Sequence, residues 1–128
     1  MYGDERHVWF GQSGNSYAYR IIPFPVYRCD IPEINGNFIF TRQEKKSLEP
    51  IPVYIGFGNL YEFFAEDPGL IRKIYDKGAE QIHYHNHLTR EQQEIEAKDI
   101  IRNYQKSVLE TEGCNRRTEE WIVTVMQP

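Results

Sequence analysis

Three of the chain's 4 histidines, His83, His85 and His87, stand at alternate positions, separated by Tyr84 and Asn86. Successive side chains on a β-strand point to opposite faces, so all three imidazoles are expected on one face of a sheet. Imidazoles two residues apart on a strand can share a zinc ion, and three nitrogen ligands plus water form a catalytic zinc arrangement. His83 and His87 would lie roughly 13 Å apart on an extended strand, so a His83–His85 pair completed by a carboxylate from elsewhere is the easier geometry. The competing expectation is a plain row of histidines on a half-exposed sheet face.

A second set of residues is spread along the chain. Gly36-Asn37-Phe38 opens one aromatic-rich segment, Tyr54-Ile55-Gly56 sits in the next, Asn59-Leu60 follows it, and Glu96 and Asn115 come later. A tyrosine hydroxyl can orient or deprotonate water. A lone carboxylate can hold Mg²⁺ or Mn²⁺, because such an ion keeps several waters and takes further oxygens from substrate phosphates. Other chemistries lack their motifs. Gly56-Phe57-Gly58 is no phosphate-cradling loop, no Gly-x-Ser-x-Gly elbow occurs, and Cys114 has no histidine near it in sequence.

In this order the residues resemble the GIY-YIG nuclease family. Tyr54-Ile55-Gly56 matches that family's second strand motif literally, and Gly36-Asn37-Phe38 is similar to its first. Asn59-Leu60 looks like its helix entry, Glu96 followed by Ile100-Ile101 like its metal glutamate, and Gly113-Cys114-Asn115 like its closing asparagine turn. The resemblance implies a metal-dependent DNA endonuclease, with Tyr54 and Gly56 in the site, Glu96 holding Mg²⁺ or Mn²⁺, and Asn115 shaping it. Two positions depart from the pattern. Phe38 stands where the family has a tyrosine, and Phe63, beside Glu62, stands where it has an arginine. A positioned cation stabilises the charge that develops on phosphoryl oxygens, and losing such a group typically slows reaction by ~10²–10³. Arg72 or Arg42 would have to supply it. The resemblance therefore implies a degenerate member with impaired or lost cleavage. The alternative on the same fold is an interaction module for protein or nucleic acid, with Phe57, Tyr61, Phe63 and Phe64 as core packing or a partner surface.

The elements that must position these residues are legible in outline. His7 to Phe10 and Tyr17 to Ile22 read as a hairpin around the glycines of Gly11-Gln12-Ser13-Gly14-Asn15. Pro23, Pro25 and Pro32 suggest an extended edge segment. Asn37 to Thr41 and Val53 to Phe57 read as an antiparallel pair. Asn59 is expected to cap a short helix, Pro68 to open the next, and Gly78 to close it. Gln81 to Leu88 alternates as a strand. Thr89 and Gln92 make a capping box for a longer helix with an apolar stripe at Ala97, Ile100, Ile101, Tyr104 and Val108, and Glu94 and Lys98 are spaced as an exposed ion pair. Trp121 to Met126 reads as a final strand. The fold class is α+β: a small antiparallel or mixed sheet flanked by helices. One domain is expected, with a hairpin and Pro-rich extension at 1–35, a core at 36–115 and a strand or tail at 116–128.

Composition narrows the function classes. The 128 residues include 19 acids and 15 bases, for a net charge of −4, which disfavours holding nucleic acid by bulk electrostatics. The deficit is spread thinly, so folding can still assemble a local basic groove. The 2 cysteines, Cys29 and Cys114, are far apart and form no CxxC, as expected of reduced thiols in the cytoplasm. The N-terminus lacks a basic and then apolar leader, and no window reaches the ~18 apolar residues of a membrane span.

Overall fold

The computed structural model describes residues 5–109 and 112–115. In chain order the elements are β1 (Arg6–Phe10), β2 (Ser16–Pro23), a 3-10 turn (Arg28–Asp30), β3 (Asn35–Gln43), β4 (Pro50–Asn59), α1 (Leu60–Glu66), α2 (Pro68–Asp76), β5 (Gln81–Asn86), α3 (Arg90–Asn103) and α4 (Gln105–Val108). The strands form one sheet in the order β1-β2-β5-β3-β4, and every ladder is antiparallel. The α+β expectation is met with an antiparallel rather than a mixed sheet. The expected strand at Trp121–Met126 lies outside the described residues. Among the described residues no helix is long and apolar enough to cross a membrane.

The N-terminal hairpin is part of the sheet rather than an extension of it, because β5 pairs with β2 on one side and β3 on the other. Alternation then splits the side chains between two faces. One face carries Ile22, Phe38, Phe40 and Ile82, covered by Leu60, Phe63 and Phe64 of α1 and Ile74 of α2. The opposite face carries Trp9, Tyr19, Ile39 and Ile55, covered by Ala97, Ile100 and Ile101 of α3 and Val108 of α4.

Local chemistry sets the helix bounds. The Asn59 side chain accepts from Glu62 N–H, Asp67 caps α2 through Leu70 N–H, and both halves of the Thr89–Gln92 capping box form. The exposed ion pair on α3 is Arg90–Glu94 at 3.1 Å, not Glu94–Lys98. The apolar stripe is also broken. Tyr104 leaves helical geometry at φ −122° and packs its ring edge-on against Trp9, so α3 stops and α4 restarts at Gln105.

Two details at chain reversals position the site. Asp99 of α3 ties down the β1–β2 turn: it accepts from Ser13 N–H at 2.9 Å, Ser13 hydroxyl at 2.6 Å and Tyr17 hydroxyl at 2.7 Å. At the other end β5 stops at Asn86, two residues short of the expected Leu88. The Asn86 side chain accepts from Asn35 N–H and His87 N–H and donates to the Glu33 carbonyl, so it replaces the strand ladder and turns the chain. His87 follows in the left-handed region at φ 62°.

Candidate functional site

Glu96 is the centre of a polar buried cluster. It projects from α3 onto the sheet and is 5% exposed, within a set of side chains from three neighbouring strands. Tyr19 of β2 donates its hydroxyl to Glu96 Oε2 at 2.5 Å, and Asn37 of β3 donates Nδ2–H to the same oxygen at 3.4 Å. His85 of β5 lies 2.8 Å from Oε2 and 3.1 Å from Oε1 through Nδ1. A carboxylate only accepts, so His85 carries its proton on Nδ1 and offers Nε2 elsewhere. Burial, followed by the charge of Glu96, pushes the Tyr19 hydroxyl well above its usual range, so Tyr19 remains a neutral donor. The Asn37 carbonyl Oδ1 is buried with no hydrogen-bond partner among the described residues.

This donor set does not fit a Mg²⁺ or Mn²⁺ ligand. Such ions want several oxygen ligands, whereas both carboxylate oxygens here face N–H and O–H donors. Among the described residues no group of three or more His, Cys, Asp or Glu side chains is arranged to hold a metal.

Tyr54 lies on the other side of the sheet. The register pairs Phe40 with Tyr54 and Phe38 with Gly56, which puts these four positions on the face covered by α1, whereas Asn37 reaches Glu96 from the opposite face. The Tyr54 ring is stacked on Phe63, with centroids 5.4 Å apart at 16°. Phe63 also packs against Phe38 and Phe40. Tyr54 and Glu96, placed in one site by the family resemblance, are thus separated by the sheet. Gly56 serves this packing: a β-carbon there would fall 2.6 Å from Phe38 Cε2 and 2.7 Å from Tyr54 Cε2. Gly56→Ala is expected to destabilise the protein by about 1–3 kcal/mol through overpacking, read as a lowered urea midpoint.

The remaining sequence candidates have structural duties. Asn115 accepts from Ile55 N–H and donates to the Ile55 carbonyl, both at 2.8 Å, and Cys114 N–H donates to the Val53 carbonyl, so residues 114–115 cover the edge of β4. Arg72 is an exposed α2 side chain 3.3 Å from Asp76, and Arg42 stands opposite Ile51, toward the other end of β3 from Asn37. Neither joins Tyr54 to Glu96. Cys114 belongs to the α1-side core while His83 and His85 face α3, and burial pushes its thiol up, away from thiolate. Of the four aromatic candidates, Phe63 and Phe64 are partly buried and pack against the α1-side core. Phe57 lies under Arg90, and Tyr61 is 43% exposed beneath Arg28.

The histidine row is corrected in two ways. His87 lies past the end of β5, so only His83 and His85 share a face. His83 is wholly buried with both nitrogens engaged: Nδ1 accepts from Trp9 Nε1–H at 3.1 Å, which puts the ring proton on Nε2, 3.1 Å from Gln81 Oε1 and 3.4 Å from Thr41 Oγ1. Burial, with His7 adding repulsion, lowers its pKa to about 3. A zinc ion at His83 would have to displace those partners. Tyr19 and Asn37, the partners of Glu96, were missed by sequence reasoning. The one local signal was the Tyr17–Tyr19 alternation in β2, which marks a face without marking a partner.

Compared with protein-family models, curated proteins and solved structures, the chain matches none.

Proposed function

We propose that this chain is a degenerate GIY-YIG-like domain that has lost DNA cleavage and acts as a binding module. One observation carries the reading: Phe63 occupies the resemblance's arginine position and stacks on Tyr54, while Glu96 is engaged by Tyr19, Asn37 and His85 across the sheet. A nuclease of that type needs a water-activating group, a metal carboxylate and a cation around one phosphate. Here the first is packed among phenylalanines, the second is held by donors, and the third is phenylalanine. The runner-up, a working Mg²⁺- or Mn²⁺-dependent DNA endonuclease, would require rearrangement of both faces.

The test is incubation of purified protein with supercoiled plasmid across Mg²⁺ and Mn²⁺ concentrations. The expected result is no nicking above that of Glu96→Ala. Metal-dependent nicking that is lost in both Tyr54→Phe and Glu96→Ala would overturn the reading.

A further inference from the structure

The β2–β5 ladder ends at the pair Arg20 and Tyr84, yet β5 continues to Asn86 paired with β3 alone. The strands part there, and a cleft of about 500 Å³ opens, lined by Arg6, Arg20, Tyr84, His85, Asn86 and His87 among others. Arg6 and Arg20 are direct cross-strand partners. Like charges placed opposite one another destabilise a sheet, so this pair is costly unless an anion joins it. Neither arginine has a salt bridge or side-chain hydrogen bond among the described residues.

The far wall of the cleft is held in place. His87 keeps a left-handed φ of 62°, a conformation that is uncommon outside glycine and concentrated at ligand-binding and switch positions. The Asn86 side chain fixes it through His87 N–H, Asn35 N–H and the Glu33 carbonyl. The His85 ring turns to the opposite face, where Nδ1 holds Glu96, so that acid lies across the sheet from both arginines. The Glu96 carboxylate beneath is already satisfied by its own donors.

We propose that this cleft binds a phosphomonoester. A phosphate dianion takes several donors at once, and guanidinium forks match its oxygens two at a time. Two arginines, with His87 on the facing wall, supply that set, and the volume suits a phosphate carrying a small organic group. A polyanionic strand is disfavoured by the net charge of −4 and the absence of a basic run. The site uses none of Phe38, Tyr54 or Phe63, so it stands independently of the lost-nuclease reading.

The full chain is titrated by calorimetry and by NMR with inorganic phosphate, with ribose 5-phosphate, and with a single-stranded oligonucleotide ending in 5′- and 3′-hydroxyls. Both phosphates are expected to bind saturably and to shift the His87 ring signal. Arg6→Gln and Arg20→Gln should each weaken binding about tenfold or more, the scale of a lost charge-assisted pair. The melting temperature of either ligand-free variant should hold or rise, which separates lost binding from lost folding. The proposal is overturned if neither phosphate binds saturably up to about 10 mM, where only negligible affinity remains. Undiminished binding in Arg20→Gln would overturn it too. Oligonucleotide binding as tight as that of ribose 5-phosphate would assign the surface to nucleic acid and likewise overturn it.

Discussion

Replacing Glu96 with alanine is expected to destabilise the protein by about 3–5 kcal/mol, because several donors lose one buried carboxylate acceptor at once. The loss would leave the buried Tyr19 hydroxyl and Asn37 amide, and the partly exposed His85 Nδ1–H, without their acceptor. Urea denaturation, compared at constant slope, measures it. Glu96→Gln should cost less, about 1–2 kcal/mol, because a carboxamide oxygen still accepts from Tyr19 and only the charge assistance is lost. The same experiment bears on metal. If the carboxylate is committed to donors, Mg²⁺ leaves the wild-type melting temperature unchanged. A Mg²⁺-dependent rise that vanishes in Glu96→Ala would restore the metal-ligand reading.

Acidification should weaken the fold through His83. Its folded pKa of about 3 lies below the ordinary 6.5, so between those values the unfolded chain binds a proton that the native ring refuses. Stability from this site is therefore complete above pH 6.5 and falls as pH drops through the window, at about 1.4 kcal/mol per unit. From pH 6.5 to 4.5 the expected loss is about 2 kcal/mol. His83→Gln, which removes the titrating ring, should flatten the stability profile across that interval relative to wild type. An equal slope in both proteins would show that His83 is protonated in the fold. A separate, more acidic window belongs to Asp99. Burial raises its pKa, but bonds from the Ser13 hydroxyl, Ser13 N–H and the Tyr17 hydroxyl, with Arg102 nearby, outweigh burial and hold it below 3.8. Its contribution is present above pH 3.8 and is lost as pH falls toward the lower folded value.

Local chemistry was readable in the sequence, and long-range placement was not. Asn59, Pro68, Gly78 and the Thr89–Gln92 box announced their helix ends because capping is decided within a few residues. Strand alternation placed His83 and His85 correctly on one face but carried His87 with them, because it has no means of seeing the Asn86 side chain end the ladder. Glu96 and Glu94 flank the α3 stripe alike in sequence. Only the resemblance selected Glu96, and the structure buries it while leaving Glu94 with Arg90. Tyr19 and Asn37 were invisible as its partners because they lie 77 and 59 residues away along the chain. The insertion of β5 between β2 and β3 likewise has no local signature, and it is that insertion which brings His85 between Tyr19 and Asn37 at Glu96.

The central position of β5 also has a meaning in time. β1–β2 and β3–β4 are hairpins between consecutive strands, whereas the ladders on either side of β5 close only after α1 and α2 have been traversed. Closing longer loops costs more entropy and slows folding, so these non-local ladders form late. Until then each hairpin presents a bare strand edge able to pair with another chain. On a ribosome both edges emerge before the segment that joins them. The 6 residues of β5 therefore act as the zip between two preformed halves, and the chain's exposure to aggregation is set by how quickly that zip closes.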